Sequence, residues 1–590
     1  MLRLGSFPTL KWMVWFAVCL GATDGGVWAQ QQPTGTANEK TVLRGTVVNS
    51  VTHQPVGRAL VKSMDGRFAT MTDERGHFEM AFKEKKNEAP MGTAPGPATV
   101  RTALFPYPMM INTNGTPPPG TVDRPDYLTA VRTGYLNPRT ALGSAVGVAR
   151  DQEEVTIALT PEAKVVGHVT LPDGEGAAGI AVELYRQTMQ DGRARWTNIG
   201  SDQAISDGEF RFADLEAGTY KLYSAELPDR DPVTSDPRAG QGWGYPPDYY
   251  PSATDFAGGA VIHLAAGETF QAALTPEKKR YYRVRIGVAG GETGQPLEVE
   301  VERDGHPGPG FTLGYDFRDG SIGGMLPDGN YLVKVWSQRN DRGLTGLMNL
   351  SVRGGPAAGM VTLLPGTDVE VRVSREFQES EQGQNSQIGW GSSHPGGRGS
   401  QMPIQLQLVP TEEFNPGRQY MAQPANDLAA EGLVVAGVPA GEYRVNVEAQ
   451  QGYVAALRCG DRDLRDAPLV IGGGASAPPI EVTLRNDGAE IDGSIVELAG
   501  HGGANSSMPA GFVYIVPVRG AGEMKLVIPQ PNGDFQIQQL APGTYRVVAF
   551  AEPKNDLEYR DEDAMSKYEG QVVTVTPGQK EKIRVSFSAE

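Results

Sequence analysis

Two cysteines and seven histidines are all that 590 residues contain, and both scarcities exclude chemistry. Cys19 falls in an N-terminal apolar run, so the mature chain keeps one thiol, Cys459, and has no internal disulfide. Its domains must be held by core packing. Cys459 lies in LRCGDRD with no histidine near it in sequence, and reads as a small packed residue rather than a nucleophile. The histidines (His53, His77, His168, His263, His306, His394, His501) are scattered, and none begins H-x-x-E or H-E-x-x-H, spacings that put two zinc ligands on one short element. A G-x-S-x-G elbow is absent too. GSSHPGG at 391–397 does set serine beside histidine, but in a glycine-rich loop that cannot hold a catalytic geometry. No metal, no cofactor and no catalytic residue is expected.

Basic charge is also short. The formal net charge is −17, a poor match for nucleic acid or an anionic membrane surface, both of which need clustered lysine and arginine. The acidic clusters do not form calcium loops: DRDLRD (461–466) lacks the central glycine and terminal glutamate of an EF-hand, and Asp561–Asp563 reads as solvated charge. Long apolar runs are missing after residue 22, so no transmembrane segment is expected in the mature chain.

The one apolar run that exists has the length of a signal peptide. WMVWFAVCLGA (12–22) follows Arg3 and Lys11, and Val27 and Ala29 supply small residues at −3 and −1, predicting cleavage before Gln30. Val18 before Cys19 argues against a lipoprotein site. Removing residues 1–29 takes away Arg3, Lys11 and Asp24 and moves the net charge from −17 to −18. The protein is read as exported, whether periplasmic, outer-membrane-associated or secreted.

What the chain has in quantity is turns: 75 glycines and 44 prolines, with apolar residues spread between them. One clause recurs. DGEFRFADLEAGTYKLY (207–223) reappears as NGDFQIQQLAPGTYRVV (532–548), and more loosely as DGSIGGMLPDGNYLV (319–333) and EGLVVAGVPAGEYRV (431–445). Alternating Phe210 and Phe212 predict a strand buried on one face. Gly218 then reverses the chain with a positive φ, and Tyr220 and Leu222 begin the next strand. Tyr220, Tyr331, Tyr443 and Tyr545 fall 111, 112 and 102 residues apart, the size of a β-sandwich, and each hydroxyl is expected to bond a nearby backbone group, as in a tyrosine corner. The fold is therefore read as all-β, a tandem array of about five immunoglobulin-like or prealbumin-like β-sandwiches. The expected domains are 41–160 with a loop insertion at 84–124, 161–277, 278–367, 368–486 with a flexible loop at 374–402, and 487–590. DEDAMSKYEG (561–570) carries the single helical pattern.

Residues 45–80 open with G-x-V, a Gln54-Pro55 turn, the strand Ala59–Lys62, and T-D-x-x-G-x-F ending at Phe78. The opening recurs at VVGHVTLPDGEGAAGIAVELY (165–185) and IDGSIVELAG (491–500), and together with L-x-x-G-x-Y it resembles the carboxypeptidase regulatory-like domain. That resemblance implies a prealbumin-type, carbohydrate-binding-like sandwich and, in tandem exported proteins, a scaffold. It is weaker in the third and fourth domains, which lack the glycine-led strand.

One segment stands above background as a binding site. GWGYPPDYYP (242–251) sets Trp243, Tyr245, Tyr249 and Tyr250 within eight residues, stiffened by prolines, with Asp248 among them. Aromatic faces stack on the C–H faces of sugars while Asp248 and the tyrosine hydroxyls bond sugar hydroxyls. Packing against a neighbouring domain is the competing reading for the same rings. The functional expectation is a non-enzymatic exported scaffold or binding protein of the cell envelope, with polysaccharide the leading ligand and an envelope protein the other partner class. The alternatives are protein–protein interaction or adhesion through sandwich edges, and a hydrolase with an inter-domain carboxylate site.

Overall fold

The structure is a computed structural model. It describes residues 40–83, 127–137, 146–148, 153–229, 241–291, 296–337, 343–378, 404–412, 414, 419–425, 432–473, 476–496, 511–519, 523–530, 532–554 and 556–588. The expected signal peptide, the 84–124 insertion and residues 379–402 of the fourth domain's loop lie outside them. The first residues assigned to that loop are strand: Thr367–Glu376 runs through position 376, because its pairing with Ile480–Arg485 extends to Glu376.

Five β-sandwiches follow one another along the chain, each closed over its own buried cluster. The second shows the plan. One sheet is ordered Glu209–Leu215, Ala163–Val169, Thr269–Leu274; the other runs Arg193–Gln203, Ala181–Gln190, Gly218–Ser224, Asp248–Tyr249. Alternation builds the faces: Phe210 and Phe212 point into the core, Glu209 and Arg211 into water. In every sandwich one central strand takes an antiparallel partner on one side and a late strand in parallel on the other. In the first, second, fourth and fifth these are the first and last strands, and in the third they are Lys279–Ala289 and Ala357–Thr362. That parallel pair spans six residues each time, from Arg44↔Glu154 in the first sandwich to Ile495↔Val585 in the fifth.

The repeated motif residues acquire physical jobs here. In the first, second and fifth sandwiches the G-x-V glycine lies directly across from the G-x-F phenylalanine: Gly45↔Phe78, Gly167↔Phe210 and Gly493↔Phe535. The ring folds over the bare α-carbon. In the third and fourth sandwiches the same register pairs aliphatics, Ile286↔Ile322 and Val371↔Leu433, which need no gap.

The four clause tyrosines are buried, and each donates its hydroxyl to the carbonyl four residues earlier. Tyr220 bonds Glu216 O at 2.6 Å, Tyr331 Pro327 O at 2.9 Å, Tyr443 Pro439 O at 3.0 Å and Tyr545 Ala541 O at 2.6 Å. Gly218 does not carry the positive φ expected of it; that conformation falls at Asp214 (φ 56°), and at Gln539 (φ 58°) in the fifth sandwich. The glycine sits on the same strand face as the tyrosine two residues on. A β-carbon there would be tight against that ring at Gly329, 3.1 Å from Cζ of Tyr331, and in ordinary contact with Tyr220 at Gly218, 3.6 Å away.

One further feature departs from the sequence reading. Strand Gln241–Tyr245, assigned to the second domain, joins the third sandwich by pairing with Lys279–Ala289. It occupies the stretch Lys279–Tyr282, which Ala357–Thr362, paired only from Val284 onward, leaves open. The helix of the fifth sandwich is short, Glu562–Met565, and Asp561 caps it by accepting from Asp563 N and Ala564 N. Cys459 packs half-buried against the fourth core, its Sγ 3.4 Å from Pro478 O, and burial pushes its thiol up.

Candidate ligand groove between the second and third sandwiches

The proline-stiffened segment threads the junction of the second and third sandwiches, and most of its rings are used there. Tyr249 is 4% exposed, stacked on Tyr223 at 5.1 Å, with its hydroxyl on Pro309 O of the third sandwich. Tyr245 is buried, with the Lys278 ammonium 6.0 Å from its ring. Tyr250 packs edge-on against Phe270 beside the second core. Asp248 is buried and accepts from Thr275 N at 3.0 Å; burial pushes its carboxyl up to about 6. The site expected from all five residues is thus corrected by burial: the ring faces of Tyr245 and Tyr249 and the Asp248 carboxyl are spent inside the protein. Trp243 differs. It is half-buried, stacked with the Arg280 guanidinium at 5.2 Å, and lines an open groove.

That groove, about 1300 Å³, runs along the sheet that Gln241–Tyr245 extends. Tyr315 and Phe317 add aromatic rings, Phe317 being 56% exposed. Glu226 and Tyr281 supply its polar floor. The Glu226 carboxylate accepts from Thr312 N at 3.2 Å and Thr312 Oγ1 at 3.3 Å, and burial pushes it up to about 7. Near neutrality it can therefore both donate and accept. The Tyr281 hydroxyl is buried beside it and turned toward the Glu226 carboxyl, with which it interacts. Asp316 also lines the groove.

Sequence reading found Trp243 and missed Glu226, Tyr281, Tyr315 and Phe317. A signal existed in RYYRV (280–284): of two adjacent tyrosines on one strand, only Tyr282 can face the core, so Tyr281 must face elsewhere. Glu226 and Phe317 carried none, since they meet through folding across about a hundred residues.

A second aromatic assembly shares Tyr223 and Tyr249 with that junction. Tyr185, Trp196, Tyr223, Tyr249, Phe256 and Phe414 form a buried cluster outside any sandwich core, with Phe256 and Phe414 edge-to-face at 4.4 Å. The Lys221 ammonium sits inside it, 5.3 Å from the Trp196 ring and 4.9 Å from Phe256, and donates to Phe256 O at 2.7 Å. Phe414 comes from the fourth sandwich. So do the carbonyls of Pro410 and Glu412, which buried Arg195 grips.

The hairpin carrying Arg195 reaches further. Its tip, Asp191-Gly192, turns with φ of 52° and 68° and inserts against the fifth sandwich. There the Asp191 carboxylate accepts from Arg560 Nη2 at 2.7 Å and from the Tyr559 hydroxyl at 2.8 Å, and Arg560 Nε donates to Asp191 O at 2.8 Å. Arg444 of the fourth sandwich lies 3.7 Å from the same carboxylate. One hairpin of the second sandwich thereby touches the fourth and the fifth.

Among the described residues no group of three or more histidine, cysteine or acidic side chains is placed to hold a metal ion. No helix among them is long and apolar enough to cross a membrane. The Arg465 guanidinium takes up Asp463, with contacts at 2.6 and 3.0 Å.

No family model matches the chain, and no curated protein does. Among solved structures it is similar to the Bacillus anthracis TIE protein at 10% identity, covering 77% of each chain with a TM-score of 0.14. It is similar to BcpA, the major pilin subunit of Bacillus cereus, at 11% identity, covering 72% of this chain and 99% of that one with a TM-score of 0.12. The RrgB pilus protein from Streptococcus pneumoniae gives 10% identity over 73% of this chain and 98% of that one, with a TM-score of 0.13. At such identities and scores these proteins' roles do not carry over to this chain.

Proposed function

We propose that the protein is a non-enzymatic, exported scaffold of the cell envelope, assembled from carboxypeptidase regulatory-like sandwiches, whose groove at Trp243 takes a saccharide. The observation that carries the reading is the groove's lining. Trp243 and exposed Phe317 offer flat apolar faces, while a Glu226 carboxyl near its midpoint at neutral pH, with the Tyr281 hydroxyl beside it, offers bonds that sugar hydroxyls satisfy. The groove is one continuous surface because the second domain's strand completes the third domain's sheet. Sandwich edges remain the surface for a protein partner.

Hydrolysis in the groove is the second reading, favoured by one fact: Glu226 has the raised pKa of a general acid. One experiment separates the readings. Affinity electrophoresis of the mature protein through envelope and plant polysaccharides is expected to show retardation by one of them. The Trp243→Ala/Phe317→Ala variant should migrate freely while melting normally. Release of new reducing ends from the retarding polysaccharide would replace the scaffold with a hydrolase. Equal migration in every gel would remove the saccharide from the reading.

A further inference from the structure

Where the second, fourth and fifth sandwiches meet, Arg193, Arg444, Arg465, Arg546 and Arg560 line one cavity of about 250 Å³, in a chain whose net charge is −17. Three sandwiches contribute to it. Arg193 follows the hairpin tip, Arg444 and Arg465 come from the fourth sandwich, and Arg546 and Arg560 from the fifth. Internal carboxylates answer only part of this charge. Arg560 holds Asp191 and Arg465 holds Asp463, while Arg444 reaches Asp191 only at 3.7 Å. Among the described residues neither Arg193 nor Arg546 has a carboxylate at ion-pair distance. Asp466 and Glu562 also line the cavity, so guanidinium outnumbers carboxylate there.

The crowding has an energetic trace. Burial, together with the nearby charges of Arg560 and Arg193, pushes Arg444 down to about 10. Like charges in a partly desolvated space repel, and a bound anion relieves them. Asp191 already shows how the cluster treats an oxyanion: its carboxylate takes a guanidinium N–H and a tyrosine hydroxyl at 2.7 and 2.8 Å.

We propose that this three-sandwich cavity is an oxyanion site for a phosphate group, gripped by Arg193, Arg444 and Arg546 beside the Asp191 anchor. A planar guanidinium fork matches phosphate oxygens in pairs, which suits arginine to this role over lysine. The site is independent of the Trp243 groove. It exists only while the hairpin is docked, so the anion also ties the second sandwich to the fourth and fifth.

The test is calorimetric titration of the mature protein with inorganic phosphate and, separately, with glucose 1-phosphate, in chloride of matched ionic strength. Melting curves accompany each titration. Saturable binding is expected with both, tighter with glucose 1-phosphate if the phosphate is sugar-borne and equal if it is free. Arg193→Ala/Arg546→Ala should weaken it roughly tenfold or more, as loss of charge-assisted bonds does, with an unchanged melt in chloride. Should that pair melt lower in chloride, Arg193→Ala alone, at an exposed position, carries the comparison. Absence of saturable heat with either probe would overturn the site. So would a linear, non-saturating rise in melting temperature equal in wild type and variant, the mark of general salt exclusion.

Discussion

The ring of Phe535 fills the space above Gly493 that any other residue's β-carbon would occupy: a β-carbon there would lie 2.0 Å from the ring's Cζ. The same relation joins Gly45 to Phe78 and Gly167 to Phe210. Gly493→Ala should therefore destabilise the fifth sandwich by about 1–3 kcal/mol, the range for overpacking a core. Hydrogen exchange across Phe512–Arg519 should rise in this variant. Adding Phe535→Leu should recover part of the loss, since the aliphatic pairs of the third and fourth sandwiches fit without the gap. Additive losses in the double variant would refute the pairing.

The tyrosine hydroxyls make a second, milder prediction. Tyr220→Phe and Tyr545→Phe each leave a turn carbonyl without its donor and should cost about 1 kcal/mol apiece. Calorimetric unfolding of each variant measures this. No loss in either would mean that water replaces the bond at no cost.

These two motifs were the most legible part of the chain. Glycine, phenylalanine and tyrosine sit at fixed short spacings because the contacts they serve are between neighbouring strands, so the sequence repeats whenever the contact does. Burial of the 243–250 rings was not legible. Whether Tyr249 meets a sugar or Pro309 depends on a residue sixty positions away. Asp191 is still more distant from its partners, with 369 positions separating it from Arg560, and an Asp-Gly turn looks the same in sequence whether its tip is free or docked.

Docking of that tip leads to the third prediction. Asp191→Ala leaves Arg560 and Arg444 crowded without their carboxylate, a loss of about 3–5 kcal/mol for a broken buried pair. The second sandwich should come away from the fifth while keeping its own fold. Small-angle scattering is expected to show a larger radius of gyration, with circular dichroism unchanged. An unchanged radius would mean that the aromatic cluster around Phe414 holds the junction alone.

Acidity should stabilise the protein over a defined window. Burial raises Glu226 to about 7 and Asp248 to about 6, while the unfolded chain releases those protons near pH 4. Between about pH 4 and 7 the folded state thus holds protons the unfolded state has lost, and stability falls as pH rises through that range. The melting temperature should be higher at pH 5 than at pH 7.5. Glu226→Gln, which cannot ionise, should flatten the upper part of the slope; an identical slope would place the dependence elsewhere.

The parallel pairing of first and last strands has a mechanical consequence. In a parallel pair, the start of one strand and the end of the other lie at opposite ends of the ladder. Tension on the chain therefore pulls the two strands past each other lengthwise, loading all six residue pairs together instead of peeling them one by one. Each sandwich is built as a shear clamp. Stretching single molecules should give separate high-force ruptures, one per sandwich, with Cys459, the cysteine among the described residues, free and sharing no load.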